Sequence, residues 1–194
     1  MWQQIVNCVK FEGEKFRKHQ ETLGVERDIE TQINGQPRRF VTVPAAEEPL
    51  IAGATWAESE LAYPRQSISL NRNEVYRLMV QFQERALLYK KIAIGHSAAL
   101  ASAKDLLVSA EDLTLQNAVY RCIGEFPSVA PTILLLSGMI DVQTVDLAAR
   151  LGVCIIISRL APTGQAVQRA GEHNLTVVGF ARGSHFTVYA GKIN

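Results

Sequence analysis

Cationic and hydroxyl-bearing side chains collect at the ends of this chain's apolar runs. The stretch Thr176-Val177-Val178-Gly179-Phe180 leads into Ala181-Arg182-Gly183-Ser184-His185, and a second apolar run, Phe186-Thr187-Val188-Tyr189, follows at once. A solvated hairpin turn needs only the glycine. The added arginine and histidine point to an anionic or aromatic ligand, because a guanidinium makes charge-assisted bonds to phosphate and a glycine lets backbone approach it. Two earlier runs end in the same manner. Thr132 to Leu136 leads to Ser137-Gly138, and Val153 to Ile157 leads to Ser158-Arg159 with Pro162-Thr163 beyond. His96 lies in a stretch of small residues, Ile92 to Leu100. Each candidate also has a plain structural alternative. His96 could be a core histidine bonded to backbone, His185 an exposed turn residue, and Arg159 the partner of Glu111 or Asp112. His19 and His173 have no partner by spacing and read as surface residues.

The cysteines, Cys8, Cys122 and Cys154, lie far apart without a C-x-x-C. That is neither a disulfide framework nor a zinc-ligand pattern. Cys122 falls on the apolar side of a predicted helix and Cys154 in an isoleucine-rich strand, so both read as small core residues. The zinc-deaminase signature, H-x-E with P-C-x-x-C, is absent as well. A formal net charge of +1 gives no broad field for a nucleic-acid duplex or an anionic membrane. The apolar runs are strand-sized and too short to span a bilayer. The first residues show no signal-peptide pattern, so a cytoplasmic location is expected by default.

The elements that must position these residues follow from periodicity. Residues 1 to about 45 read as β structure, with Asn34-Gly35 as a type I′ hairpin turn. Glu48 to Leu61 reads as a helix with Pro49 in its first turn. A connection at 62–70 precedes a helix from Asn73 to Lys90, whose stripe Val75-Leu78-Met79-Phe82-Ala86-Tyr89 suits either the core or a homodimer interface. Then come a strand over Ile92 to Leu100, a second over Leu106 to Val108, and a helix from Asp112 to about Phe126, with Glu111 and Asp112 as caps. After residue 132 the order is strand, helix, strand, helix, strand, which demands parallel strands joined by right-handed crossovers. Ser137-Gly138, Arg159 with Thr163, and Phe180 to His185 then all emerge at carboxyl ends of strands, where open α/β sheets bind ligands. Helices beginning at Asp141 and Thr163 aim N–H groups at the same rim, although Asp141 itself occupies an anion's place.

Ser158-Arg159-Leu160-Ala161-Pro162-Thr163, Thr176-Val177-Val178-Gly179-Phe180-Ala181-Arg182-Gly183 and the closing Tyr189-Ala190-Gly191 resemble the formate dehydrogenase accessory protein family of FdhD/NarQ type. His96-Ser97-Ala98-Ala99-Leu100, Glu111-Asp112 with Asn117-Ala118-Val119 and Ile123-Gly124, Ser137-Gly138, and Glu30 with Ile33-Asn34-Gly35 and Pro44 are similar to further family motifs. The likeness is specific over residues 132 to 191 and loose before residue 92. It implies a cytidine-deaminase-like three-layer α/β core over residues 71–194, with a small β-rich subdomain over 1–70. It also implies a sulfurtransferase that receives persulfide sulfur from a cysteine desulfurase. The sulfur would go to a molybdenum bis(guanine dinucleotide) cofactor destined for formate dehydrogenase. The segment Phe180 to His185 would belong to the cofactor site, with Arg182 on a phosphate; GDP is the simplest such ligand.

Four family features are replaced here. The cysteine-bearing loop corresponds to residues 62–72, which contain no cysteine; the G-R-H motif becomes Thr114-Leu115-Gln116; the D-K pair becomes Tyr120-Arg121; and the arginine of S-G-R becomes Met139. A thiolate is the nucleophile that persulfide transfer requires. The alternative function is therefore a non-catalytic family member that binds a nucleotide or molybdenum cofactor without a sulfur relay.

Overall fold

Apolar runs become strands, amphipathic runs become the layers that cover them, and the polar tips between are left at one edge. The computed structural model describes residues 3–12, 15–126 and 132–194. The side chains of Cys8 and His19 lie outside that description. At the N-terminal end, β1 (Gln3–Glu12) and β2 (Lys15–Gly24) form one antiparallel ribbon, and β3 (Arg27–Ile33) and β4 (Gln36–Thr42) form another. Asn34 and Gly35 have φ of 52° and 76°, the two left-handed positions that a type I′ turn needs. β2 has no apolar alternation to announce it; pairing with β1 along its whole length defines it.

Helix α1 (Glu48–Glu58) follows, then the connection, then α2 (Arg72–Arg85) and α3 (Leu87–Ile92). The helix expected from Asn73 to Lys90 is thus two helices. Asn71 and Glu74 close a capping box at the start of α2, at 3.1 and 2.7 Å. The break falls at Ala86, with φ −76° and ψ 72°. Its cause comes from the sheet. The Glu111 carboxylate accepts from the N–H groups of Leu88 at 2.8 Å and Tyr89 at 3.4 Å, so it caps a new helix start. The strand expected from Ile92 begins only at His96. Ile92 still ends α3, and Ala93 and Gly95 have left-handed φ of 53° and 82°.

The remaining strands are β5 (His96–Ala101), β6 (Leu106–Asp112), β7 (Ile133–Leu136), β8 (Ile155–Ser158), β9 (Thr176–Arg182) and β10 (His185–Ala190). They form one six-stranded sheet in the order β10-β9-β8-β7-β5-β6. β7, β8 and β9 are parallel, and β5, β6 and β10 join antiparallel. Glu111 and Asp112 belong to β6 and do not cap the next helix. α4 (Leu115–Gly124) is capped instead by Thr114, whose hydroxyl accepts from the Asn117 N–H at 3.1 Å.

Successive residues of the parallel strands serve opposite faces. Leu134, Leu136 and Ile156 pack under α4, α5 (Val142–Arg150) and α6 (Gly164–Glu172). Ile133, Leu135, Ile155 and Ile157 pack under α2. The α/β reading therefore holds, with three layers and a mixed sheet. Between the β3–β4 ribbon and the sheet lies a buried polar cluster. Asp112 is 0% exposed and takes the Arg121 Nε at 2.6 Å, the Asn117 amide at 3.2 Å and the Thr42 hydroxyl. Arg121 also donates to Thr42 at 2.9 Å, and Asn117 to the Val41 carbonyl at 3.0 Å. Among the described residues, no helix is long and apolar enough to cross a membrane.

Candidate functional site

Three loops at the carboxyl ends of β7, β8 and β9 are laced together by backbone. Ser158 donates its hydroxyl to the Gly138 carbonyl, and the Arg159 N–H reaches the Leu136 carbonyl at 3.1 Å. Ile140 and Pro162 form a parallel bridge, and the Thr163 N–H reaches Ile140 at 2.9 Å. The Phe180 N–H donates to Leu160 at 3.3 Å. Right-handed crossovers force this arrangement, since each loop leaves the same edge of the sheet.

The rim opens on a cavity of about 230 Å³. His96, Ser137, Arg159 and Arg182 line it from the sheet, with Phe82, Gln83 and Tyr89 opposite on α2 and α3. The Ser137 hydroxyl accepts from the Ser97 N–H at 2.8 Å and lies 3.5 Å from His96 Nδ1. Gly138 makes room for that histidine: a methyl group on it would come within 3.2 Å of His96 Nδ1 and 2.8 Å of Leu115. Arg182 donates Nε to the Arg159 carbonyl at 2.9 Å, which sets its guanidinium beside the other arginine. The Nε of Arg159 is buried without a hydrogen-bond partner.

Electrostatics at this rim are one-sided. Among the described residues, no carboxylate lines the cavity. Glu111 is spent on the start of α3 and lies 3.4 Å from the Ser97 hydroxyl; Asp112 is spent on Arg121. The pairing of Arg159 with either acid, the structural alternative, is not formed. Two arginines, Arg159 half-buried and Arg182 exposed, thus give the small concavity a positive lining, which favours an anion.

The other expected residues are placed differently. The Thr163 hydroxyl caps α6 through the Ala166 N–H at 3.1 Å. Ala181 is 2% exposed and faces the core beneath α2. Phe180 is 45% exposed at a left-handed φ of 52°, with its ring 6.5 Å from that of Tyr189. Gly183 and Ser184 form the turn, and the exposed His185 lies 3.4 Å from the Ser184 hydroxyl. None of these lines the cavity. His173, read as a lone surface residue, bonds Asp146 at 3.1 Å. Phe82, Gln83, Ser97 and Tyr89 were not expected at the site. Phe82 and Tyr89 were hidden in the apolar stripe from Val75 to Tyr89, which suits core or interface, and Gln83 is an ordinary polar residue beside that stripe.

The thiols lie elsewhere. Cys122 is fully buried against the Ala98 carbonyl at 3.3 Å, and burial pushes it well above the usual thiol range. Cys154 precedes β8 and touches the Gln66 carbonyl; burial raises it too, with Arg65 pulling the other way. The connection through Tyr63 and Gln66, bonded to Arg150 at 2.7 Å and to Cys154, therefore crosses the amino-terminal edge of the parallel strands. The cavity is at the other edge, roughly 13 Å of strand away. Among the described residues, no group of His, Cys, Asp and Glu is placed to hold a metal ion.

Fold and site together define an α/β protein with an arginine-lined rim at the carboxyl ends of its parallel strands. The chain matches the FdhD/NarQ family over residues 14–194 and belongs to that family. It is 33% identical over 129 residues to the sulfur carrier protein FdhD of Listeria monocytogenes serotype 4b, covering 64% of this chain and 49% of that one. With the protein of the same name from Bacillus pumilus it is 35% identical over 127 residues, covering 63% and 48%. The chain thus spans about half the length of the curated relatives it matches. A crystal structure described as a formate dehydrogenase accessory protein from Desulfotalea psychrophila superposes with a TM-score of 0.88 over 98% of each chain, at 18% identity; this likeness concerns the fold.

Proposed function

We propose that the rim cavity binds the phosphate-bearing part of a guanine nucleotide, in keeping with a role in preparing the molybdenum bis(guanine dinucleotide) cofactor for formate dehydrogenase. One observation carries this reading. Arg159 has a buried Nε without a partner, and Arg182, bonded to its carbonyl, lines the same cavity, where none of the described lining residues is acidic. The residues fit an anionic tail. At about 230 Å³ the cavity takes a phosphate group with its near neighbours, so the rest of a dinucleotide would lie on the open rim. Arg159 and Arg182 would hold the phosphates, and Ser137 and His96 would offer further bonds. The cofactor, when bound, would supply the molybdenum chemistry; this chain's residues would bind and orient it.

Calorimetric titration with GDP tests the reading. Arg182→Ala should weaken binding by about 1.5–3 kcal/mol, the usual worth of a charge-assisted bond. Arg169→Ala, on α6 beside Asp146, should leave it unchanged. Equal affinity in wild type and Arg182→Ala would overturn the assignment.

Sulfur carriage is the second reading, favoured by the name that the relatives bear. It would draw sulfur from a cysteine desulfurase. Cys122 and Cys154 suit it poorly, being buried, raised in pKa and away from the cavity. Cys8, in β1, is the thiol left to serve it. The binding role without a relay is the one that the geometry supports better.

A further inference from the structure

The turn that carries Arg182 is gripped from outside the sheet. Arg182 pairs with His185, so Gly183 and Ser184 form a two-residue turn. Gly183 has φ of 56°, and Ser184 is not left-handed, the pattern of a type II′ hairpin with glycine first. The Tyr76 hydroxyl donates to the Ser184 carbonyl at 2.7 Å. Its ring also packs on Phe186 of β10, 5.4 Å between centroids at 60°. Tyr76 stands on α2, which Val75, Leu78, Met79 and Phe82 anchor in the core. That same helix presents Phe82 and Gln83 to the cavity. One rigid element thus sets both the cavity wall and the turn whose arginine faces it.

We propose that Tyr76 is a positioning residue for anion binding. Its hydroxyl fixes the β9–β10 turn, so the Arg182 guanidinium faces the cavity before a nucleoside diphosphate arrives. The inference rests on the proposed anion site. A side chain ordered in advance loses less conformational freedom on binding, so the anchor appears as affinity. It contributes little to folding, because water can satisfy the exposed Ser184 carbonyl once the hydroxyl is gone.

The test is GDP calorimetry on the whole chain in four forms: wild type, Tyr76→Phe, Arg182→Ala and the double variant. Phenylalanine keeps the ring on Phe186, so the fold is retained and the melting temperature should stay within about 2 °C. Tyr76→Phe should weaken GDP binding about three- to tenfold, the range of one hydrogen bond. In the Arg182→Ala background the same change should have no further effect, because the hydroxyl acts only through that arginine. An equal loss in both backgrounds, or no loss in wild type, would overturn the proposal. If Arg182→Ala weakens binding but Tyr76→Phe does not, only the role of Tyr76 fails. If Arg182→Ala has no effect, the anion site itself fails, and this inference with it.

Discussion

Arg159 places a cation where no described acidic residue pairs with it, and that has a measurable sign. Arg159→Ala should weaken GDP binding by about tenfold or more. It should also leave the melting temperature unchanged or slightly raised, since Arg182 loses a like charge beside it. Parallel binding and melting curves check both at once; a large drop in melting temperature would mean that Arg159 is a structural residue. The buried thiol of Cys122 has its own signature. Its folded-state pKa lies above the ordinary 9.0, so the folded state holds the proton where the unfolded state releases it. Stability from this group is complete below that ordinary value and falls as pH rises beyond it. Cys154 and Tyr120, also raised by burial, act with the same sign. Urea unfolding from about pH 8 to about pH 10 should show the decline, and Cys122→Ala should flatten part of it. Much of this scale was legible from residue order. Ser137, Arg159 and Arg182 each follow a buried apolar run, and crossover handedness sends them to one edge. The fate of Glu111 and Asp112 was not legible, because their partners, Leu88 and Thr42, come from distant segments that no local pattern connects.

At the scale of elements, the Asp112–Arg121–Thr42 cluster joins the β3–β4 ribbon to β6 and α4. Its charged pair is buried, with Arg121 only 4% exposed. Removing one member strands the other charge in the interior. Arg121→Ala should therefore cost about 3–5 kcal/mol, read from urea unfolding. A loss below about 1 kcal/mol would mean that the cluster is solvated and not a clamp. Sequence periodicity found the starts of α1, α5 and α6 and the parallel strands close to their true positions, because Pro49, Asp141 and Thr163 mark those starts with local chemistry. It failed from Ala86 to Gly95. There the helix stops because a carboxylate from β6 offers a second N-terminus, a tertiary cause that leaves no trace in spacing. At β2 the broad β reading of residues 1 to about 45 holds, although Lys15 to Gly24 has no alternating apolar face to mark the strand's own bounds.

The whole molecule separates two chemistries by the length of a strand. Cations gather at the carboxyl ends of β7 to β9, and Cys154 sits at the amino-terminal edge with the cysteine-free connection over it. Incubation with a cysteine desulfurase and cysteine should therefore leave Cys122 and Cys154 unlabelled in the folded chain; persulfide on either would show that the layers open further than their packing implies. The most direct measurement is a crystal structure of the chain soaked with GDP. Phosphate oxygens should lie within hydrogen-bonding distance of Arg159 and Arg182, between His96 and the turn at Gly183. GDP seated anywhere else, or an empty rim at saturating nucleotide, would contradict that placement.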